Sequence, residues 1–234
     1  MSLTIVRLYH DLLGTYGDQG NAEILMYRAK ARGIDVELVE VTPDTPVPRS
    51  GDIYLLGGGE DGPQAAALKM LKQDGGLQYA AAGGATVLAI CAGFQIIGES
   101  LPDSEGEVTA GLGLVDAHTI YDSSPRSVGE IVIEPTRGGL PVLTGFENHQ
   151  GLTRLGSQMP ALGKVTRGIG NGFDSLEGVW HGNVFGTYMH GPVLARNPEL
   201  ADAVLQCAAG PLRSFDDPLA DALANERRST LSGH

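Results

Sequence analysis

The chain has 234 residues, 42% hydrophobic and 19% charged, which is typical of a folded globular protein. Its formal net charge of −12 disfavours nucleic acid and anionic membranes as partners, because both require basic surfaces. The two cysteines, Cys91 and Cys207, are too few for a disulfide framework, and the first ten residues lack a secretory signal pattern. We therefore expect a cytoplasmic protein.

The first half of the chain alternates between predicted strands and helices. Strands are predicted at 3–9, 34–41, 53–56 and 86–90, and helices at 22–32, at 61–72 and from Ala92 onward. Segments 53–56 and 86–90 are continuous apolar runs, as in strands covered on both faces. The alternation predicts an α/β fold with a mainly parallel central sheet flanked by helices. Ligands bind such sheets beyond the carboxyl ends of the strands.

The second half is predicted to be richer in strands. They are expected at 113–121, 130–134, 142–146, 164–167 and 184–188, followed by a helix at 198–208. We predict one domain over residues 1–210 and a partly disordered tail over 211–234. Residues 79–98 carry no charge and match a membrane span in length, but Gly83 and Gly84 interrupt them. We interpret this stretch as a helix end, a buried strand and a helix start.

The main chemical motif is Leu88-Ala-Ile-Cys91-Ala-Gly93-Phe-Gln95, in which a strand leads directly into a helix. Small residues around the cysteine suit a strained turn that presents the side chain, as in a nucleophile elbow. A helix N-terminus favours the thiolate, and the Ala92 N–H is placed to stabilise an oxyanion. A buried structural thiol is the alternative interpretation of Cys91 from spacing alone. Cys207, on an amphipathic helix, is predicted to be a core thiol.

Two further segments follow predicted strands. Leu56-Gly57-Gly58-Gly59-Glu60-Asp61 is a glycine loop that supplies either a second oxyanion donor or only a turn, and no Gly-Lys-Ser/Thr follows it as in a phosphate loop. His190, in Phe185-Gly-Thr-Tyr-Met-His190-Gly-Pro192, is the candidate base, with His149 as its main rival. No Cys or His spacing is typical of zinc, so no metal is expected.

Together these segments resemble the class I (triad-type) glutamine amidotransferases, over roughly residues 3–208. The resemblance implies the flavodoxin-like fold of that class with additional strands in the second half. It also implies hydrolysis of L-glutamine through a thioester on Cys91, with His190 as base and Gly58 and Ala92 as the oxyanion hole. The ammonia would be delivered to a synthetase.

The segments Tyr16-Gly-Asp-Gln-Gly-Asn21, Gly145-Phe-Glu-Asn-His149 and Gly186-Thr-Tyr-Met-His-Gly191 resemble the cobyric-acid-synthase-like branch. Within that branch, the length is similar to that of free-standing glutaminase subunits of lipid II isoglutaminyl synthase. Such subunits work in a heterodimer with a Mur-ligase-like partner (MurT-type), which uses ATP and Mg²⁺ to amidate D-glutamate. The resemblance implies no cofactor in this chain, and it implies that Arg126 of Arg126-Ser-Val-Gly129-Glu130 binds glutamine. Further expected substrate-binding residues are Gln95, Gly59, Asn148 and His149.

Two positions depart from the family pattern. The class usually has Glu two residues after the catalytic histidine, whereas this chain has Pro192. We expect the acid that orients His190 to come from the partner or from a distant residue such as Glu177. Glu60 stands where related chains often have Gln. An acceptor such as a cobyrinate-type carboxylate and a non-catalytic regulatory subunit remain as alternatives.

Overall fold

A computed structural model describes residues 2–103, 105–121, 125–137 and 139–232. Its strands are β1 Ser2–Leu8, β2 Asp35–Val41, β3 Ile53–Leu56, β4 Thr86–Ile90, β5 Ser100–Pro102, β6 Val108–Ala110, β7 Ala117–Tyr121, β8 Ser127–Pro135, β9 Leu143–His149, β10 Gly151–Leu155, β11 Gly163–Arg167, β12 Leu176–Glu177, β13 Val179–His181 and β14 Val184–Thr187. Its helices are α1 Gly20–Ala31, α2 Asp61–Asp74, α3 Gly76–Ala82, α4 Ala92–Ile97, α5 Val193–Arg196, α6 Pro198–Ala209 and α7 Pro218–Ser232.

The centre of the fold is a six-stranded sheet in the order β13-β14-β4-β3-β1-β2. All neighbouring strands are parallel except β13, which is antiparallel at the edge. Every residue of β3 and β4 is buried, as their continuous apolar sequences predict. Helix α1 packs against α5 and α6, whereas α2 packs against α3 and α4. The predicted α/β fold with a mainly parallel sheet is confirmed.

The register of the sheet gathers four loops at one edge. Leu8 at the end of β1 pairs with Leu56 at the end of β3, and Thr187 at the end of β14 pairs with Ile90 at the end of β4. Because these strands are parallel, the loops that follow them meet at their carboxyl ends. These loops contain the β1–α1 segment, the three glycines after β3, Cys91 and His190.

The strand-rich second half is also confirmed, and it forms two four-stranded sheets, β10-β7-β5-β6 and β12-β11-β8-β9. Strand β8 begins at Ser127 and β9 runs to His149, so the β8–β9 pair is longer than the sequence predicts. In its register Val128 faces Asn148, which brings Arg126 beside that residue. A bridge between Phe146 and His190 joins β9 to the central edge.

The prediction of a disordered tail is wrong for residues 218–232, which form α7. This helix packs against α5, α6, β8 and β9. Its Ala224 and Leu231 are buried, and Arg228 pairs with Glu199 of α6 and donates to the Val142 carbonyl. The polar sequence hid this role, because one narrow apolar face and one ion pair hold the helix in place.

Among the described residues, no helix is long and apolar enough to cross a membrane. The uncharged stretch at 79–98 is divided among α3, β4 and α4. The interpretation as helix end, strand and helix start is therefore confirmed.

Candidate active site

Cys91 lies in a strained turn between β4 and α4. Its φ of 50° is in the left-handed region, which costs a non-glycine residue about 1–3 kcal/mol. The turn is tight because α4 packs closely on β3: a Cβ added to Gly93 would lie 2.7 Å from the Cβ of Leu56. The Cys91 N–H donates to the Thr187 carbonyl at 2.8 Å, which ties the turn to β14. The local geometry is that of a nucleophile elbow.

His190 follows β14 and is paired with Asp18, a residue of the β1–α1 loop. The distances from Nδ1 to the carboxylate oxygens Oδ1 and Oδ2 are 3.1 and 3.0 Å, and both side chains are buried. Burial by itself lowers the pKa of His190. Hydrogen bonding to Asp18 and interaction with Cys91 outweigh burial and raise that pKa to about 10. Nδ1–H therefore donates to Asp18.

The other ring nitrogen of His190, Nε2, is left for proton transfer. It makes no hydrogen bond of standard geometry to a described residue, although it is buried. Cys91 nevertheless lies close enough to raise the pKa of the ring. The arrangement Asp18–His190–Cys91 has the order of an acid, base and nucleophile.

The expectation of a distant orienting acid agrees with this arrangement, but the acid is Asp18 and not the named example, Glu177. Glu177 is fully buried, but it accepts hydrogen bonds from the Thr187 hydroxyl at 2.5 Å and from the Tyr188 N–H at 2.7 Å. It holds the backbone that leads to His190 and does not touch the imidazole. Asp18 belongs to a glycine-rich segment after the first strand, and that position was the available sequence signal.

The glycine loop also differs from its predicted role. The Gly58 N–H donates to Asp18 Oδ2 at 2.8 Å, so it is already engaged and the oxyanion assignment of Gly58 does not fit this geometry. A Cβ on Gly58 would lie 2.7 Å from His190 Cε1, so only glycine allows the close approach. Gly59 and Ala92 line the adjacent cavity, and none of the described residues accepts a hydrogen bond from their N–H groups.

A cavity of about 170 Å³ opens beside Cys91. Four of the predicted substrate-binding residues line it: Gly59, Gln95, Arg126 and His149. The sequence did not single out Asp61, Gln64 or Tyr121, which also line it. The lining of the cavity thus includes a thiol, a guanidinium and two carboxylates.

Gln95 is held rigidly in the wall of this cavity. Its Oε1 accepts a hydrogen bond from Gln64 Nε2 at 2.7 Å, and its Nε2 donates to the Tyr188 hydroxyl at 3.1 Å. His149 stacks on the Tyr188 ring with centroids 3.9 Å apart, and its Nδ1 lies 2.9 Å from the Gly151 carbonyl. His149 is therefore part of the wall, and His190 alone of the two is paired with Asp18.

Arg126 lies at the exposed mouth of the cavity, and Asn148 supports it. Arg126 Nε donates to Asn148 Oδ1, and Nη2 donates to the Asn148 carbonyl at 3.2 Å. The sequence predicted that Asn148 contacts the substrate directly. Asn148 does not line the cavity, and it holds Arg126 instead. Glu130, the last residue of the segment Arg126-Ser-Val-Gly129-Glu130, forms an ion pair with Arg196.

Comparison with known proteins finds a matching family and two similar proteins that cover most of the chain. Residues 4–198 match the model of the CobB/CobQ-like glutamine amidotransferase domain. The chain is 36% identical, over 96% of its length and 90% of the relative, to the Streptococcus pneumoniae protein named lipid II isoglutaminyl synthase (glutamine-hydrolyzing) subunit GatD. It is 39% identical to the Staphylococcus aureus GatD over 88% of this chain and 84% of that protein.

Other matches are partial or concern the fold alone. A probable cobyric acid synthase of Methanothermobacter thermautotrophicus is 41% identical, but over only 45% of this chain and 23% of that protein. A solved glutamine amidotransferase superposes with a TM-score of 0.59 at 19% identity, covering 87% of this chain and 98% of that one. The glutaminase domain of Trypanosoma brucei CTPS superposes with a TM-score of 0.54 at 11% identity, covering 92% and 96%.

Proposed function

This chain belongs to the CobB/CobQ-like glutamine amidotransferase family, and we propose that it hydrolyses L-glutamine to glutamate and ammonia through a thioester on Cys91. The observation that carries the proposal is the buried Asp18–His190 pair beside the strained Cys91 turn. A non-catalytic regulatory subunit has no need of a nucleophile in a strained conformation next to a paired imidazole.

The chemical steps follow from these positions. The Cys91 thiolate attacks the side-chain amide carbon of glutamine, and the Ala92 and Gly59 N–H groups stabilise the resulting oxyanion. His190 donates its Nε2 proton to the leaving nitrogen, so ammonia departs and a γ-glutamyl thioester remains. His190 then takes a proton from water, whose oxygen attacks the thioester carbonyl. The tetrahedral intermediate then breaks its C–S bond, and Cys91 leaves as the thiolate while the new γ-carboxyl of glutamate loses its proton to solvent. His190 keeps the proton it took from the attacking water, so the imidazolium–thiolate pair is restored.

The cavity also suits the other end of glutamine. The Arg126 guanidinium binds the α-carboxylate, since a planar fork of donors matches the two oxygens. Asn148 reduces the freedom of this exposed arginine through two hydrogen bonds. Gln95 and His149 complete the wall. This chain needs no cofactor for these steps.

For the acceptor, we favour the D-glutamate carboxylate of lipid II, amidated by a Mur-ligase-like partner that uses ATP and Mg²⁺. The support is the match to the two GatD subunits over 90% and 84% of their length. The chain spans only 23% of the cobyric acid synthase compared above, so a cobyrinate-type acceptor is the second candidate. The proposal places the heterodimer in the cytoplasm, where nucleotide is available.

A glutamine-analogue label tests the first half of the proposal. We expect 6-diazo-5-oxo-L-norleucine to add to Cys91, as detected by peptide mass spectrometry, and to leave Cys207 unmodified. The variant Cys91→Ala should lose glutamate release, whereas Cys207→Ala should keep it. No adduct on Cys91 in the presence of the partner would overturn the glutaminase assignment.

The acceptor is tested separately by adding the partner, ATP and Mg²⁺ to either lipid II or a cobyrinate carboxylate. We expect amidation of lipid II only, with ammonia derived from labelled glutamine. Amidation of the cobyrinate alone would keep the glutaminase and replace the acceptor.

A further inference from the structure

Tyr16 stands out in the loop that carries Asp18. Its φ of 62° is in the left-handed region, although it is not a glycine. Such a conformation is unfavourable for a residue with a side chain and persists only where the surroundings compensate for it. The neighbouring Thr15 N–H donates to the Gly58 carbonyl at 3.1 Å, and Asp18 accepts from the Gly58 N–H. The loop is therefore bound to the glycine loop on both sides of Tyr16.

The ring of Tyr16 packs on the catalytic imidazole. The ring centroids of Tyr16 and His190 are 4.8 Å apart, and the planes are tilted by 53°. Tyr16 is 42% exposed, whereas the His190 beneath it is only 1% exposed. The tyrosine thus takes the solvent-facing position over the histidine. Excluding water there strengthens the hydrogen bond between His190 and Asp18, because the local dielectric is lower.

The hydroxyl of Tyr16 makes a second connection, toward the mouth of the cavity. Asn148 Nδ2 donates to the Tyr16 hydroxyl oxygen, while Asn148 Oδ1 accepts from Arg126 Nε. An amide that presents its oxygen to arginine must direct its NH₂ group elsewhere, and the Tyr16 oxygen is the acceptor. The tyrosine therefore sets the orientation of Asn148 in which Arg126 is held.

We propose that Tyr16 is a positioning residue that joins the two ends of the glutamine site: its hydroxyl orients the Asn148–Arg126 clamp, and its ring covers the His190–Asp18 pair. This inference rests on the proposed glutaminase function. The hydroxyl should affect KM, because it orients the Asn148–Arg126 clamp that binds glutamine. The ring should affect kcat, because it covers the His190–Asp18 pair that transfers protons.

Two substitutions separate these parts. Tyr16→Phe keeps the ring and removes the hydroxyl, so KM for glutamine should rise about fivefold with kcat within about twofold. Tyr16→Ala removes both, so kcat should fall as well, by about tenfold or more. Tyr79, which is 61% exposed on α3, is the matched control, and Tyr79→Phe should change neither constant.

A double-mutant cycle gives the decisive result. Because Tyr16 acts on Arg126 through Asn148, adding Tyr16→Phe to Asn148→Ala should raise KM no further than Asn148→Ala alone. Additive effects on KM, or a Tyr16→Phe variant with unchanged KM, would overturn the proposal even if Tyr16→Ala failed to fold. Absence of glutamine hydrolysis by the wild-type chain would instead be a failure of the glutaminase assignment.

Discussion

Asp18 and Glu177 are two buried carboxylates near the same catalytic strand, and they are used differently. Asp18 lies in the β1–α1 loop and pairs with the His190 imidazole and the Gly58 N–H. Glu177 ends β12 and binds a hydroxyl and a backbone N–H of residues 187 and 188, while its Oε2 has no partner among the described residues. Asp18 therefore binds the imidazole of His190, whereas Glu177 fixes the backbone that leads to it.

The surroundings explain this difference. Asp18 is next to a cation, so its ionised form is compensated. Glu177 accepts hydrogen bonds only from neutral groups, and burial raises its pKa despite these bonds from Thr187 and Tyr188 and the weaker influence of His149. A buried acid thus needs a neighbouring positive charge before it can serve as the third member of a catalytic set. Burial alone, or proximity along the strand, is not enough.

The largest expected effect on activity is that of replacing Asp18. Asp18→Asn should lower kcat for glutamine hydrolysis by roughly 10²–10⁴-fold, because the amide cannot stabilise the imidazolium. Glu177→Gln should retain most of the activity, since Gln Oε1 can still accept both hydrogen bonds. Steady-state glutaminase assays on both variants measure this. Equal losses would show that the two acids have the same role.

The same Asp18 variant has a pH signature in stability. The pKa of His190 is raised to about 10 in the folded protein, against about 6.5 when unfolded. The stabilisation is therefore complete below about pH 6.5 and is lost as pH rises towards 10. The stability difference between wild type and Asp18→Asn should shrink over that range in urea denaturation. A constant difference would contradict the charged pair.

An intermediate effect concerns Glu177 and the free energy of unfolding. Glu177→Gln should be less stable than wild type by about 1–3 kcal/mol at low pH, because its NH₂ group buries two donors without an acceptor where the protonated carboxyl buries one. A raised folded pKa means that wild type loses stability as pH rises above about 4.3, the unfolded value. The gap should therefore narrow from pH 5 to pH 8.5 in urea denaturation. A gap that widens would mean that the carboxyl is ionised in the folded state.

The smallest effect comes from a third, exposed acid. Glu60 lines the cavity, and none of the described residues pairs with its carboxylate. We expect Glu60 to attract the α-ammonium of glutamine, so Glu60→Gln should raise KM about two- to fivefold, as for an exposed ion pair. KM for glutaramate, which lacks the α-amino group, should not change. The control Glu37→Gln, on the far edge strand β2, should affect neither substrate.

Local sequence patterns were sufficient for much of the fold. The apolar runs of β3 and β4 predicted buried parallel strands, and Cys91 between small residues predicted the strained turn. These features depend on neighbours a few residues apart, so spacing reveals them. The strands at 130–134 and 142–146 were also predicted, but not the extension that brings Arg126 beside Asn148. That extension depends on pairing between two strands and not on either strand alone.

What only the tertiary structure decided is which groups meet. Asp18 lies 172 residues before His190, and nothing in local periodicity selects it over Glu177, which is 13 positions from the histidine. The Gly58 N–H was assigned to an oxyanion, but the carboxylate that meets it in space is Asp18. Helix α7 was predicted as a tail because the groups that Arg228 binds, Glu199 and the Val142 carbonyl, are distant from it in the chain. By itself, the sequence predicted the buried strands β3 and β4 and the turn at Cys91, since each is encoded by adjacent residues. The pairing of Asp18 with His190, the contact between Asn148 and Arg126, and the packing of Tyr16 on His190 depend on the tertiary structure. The sheet register brings the loops that carry Asp18 and His190 to one edge.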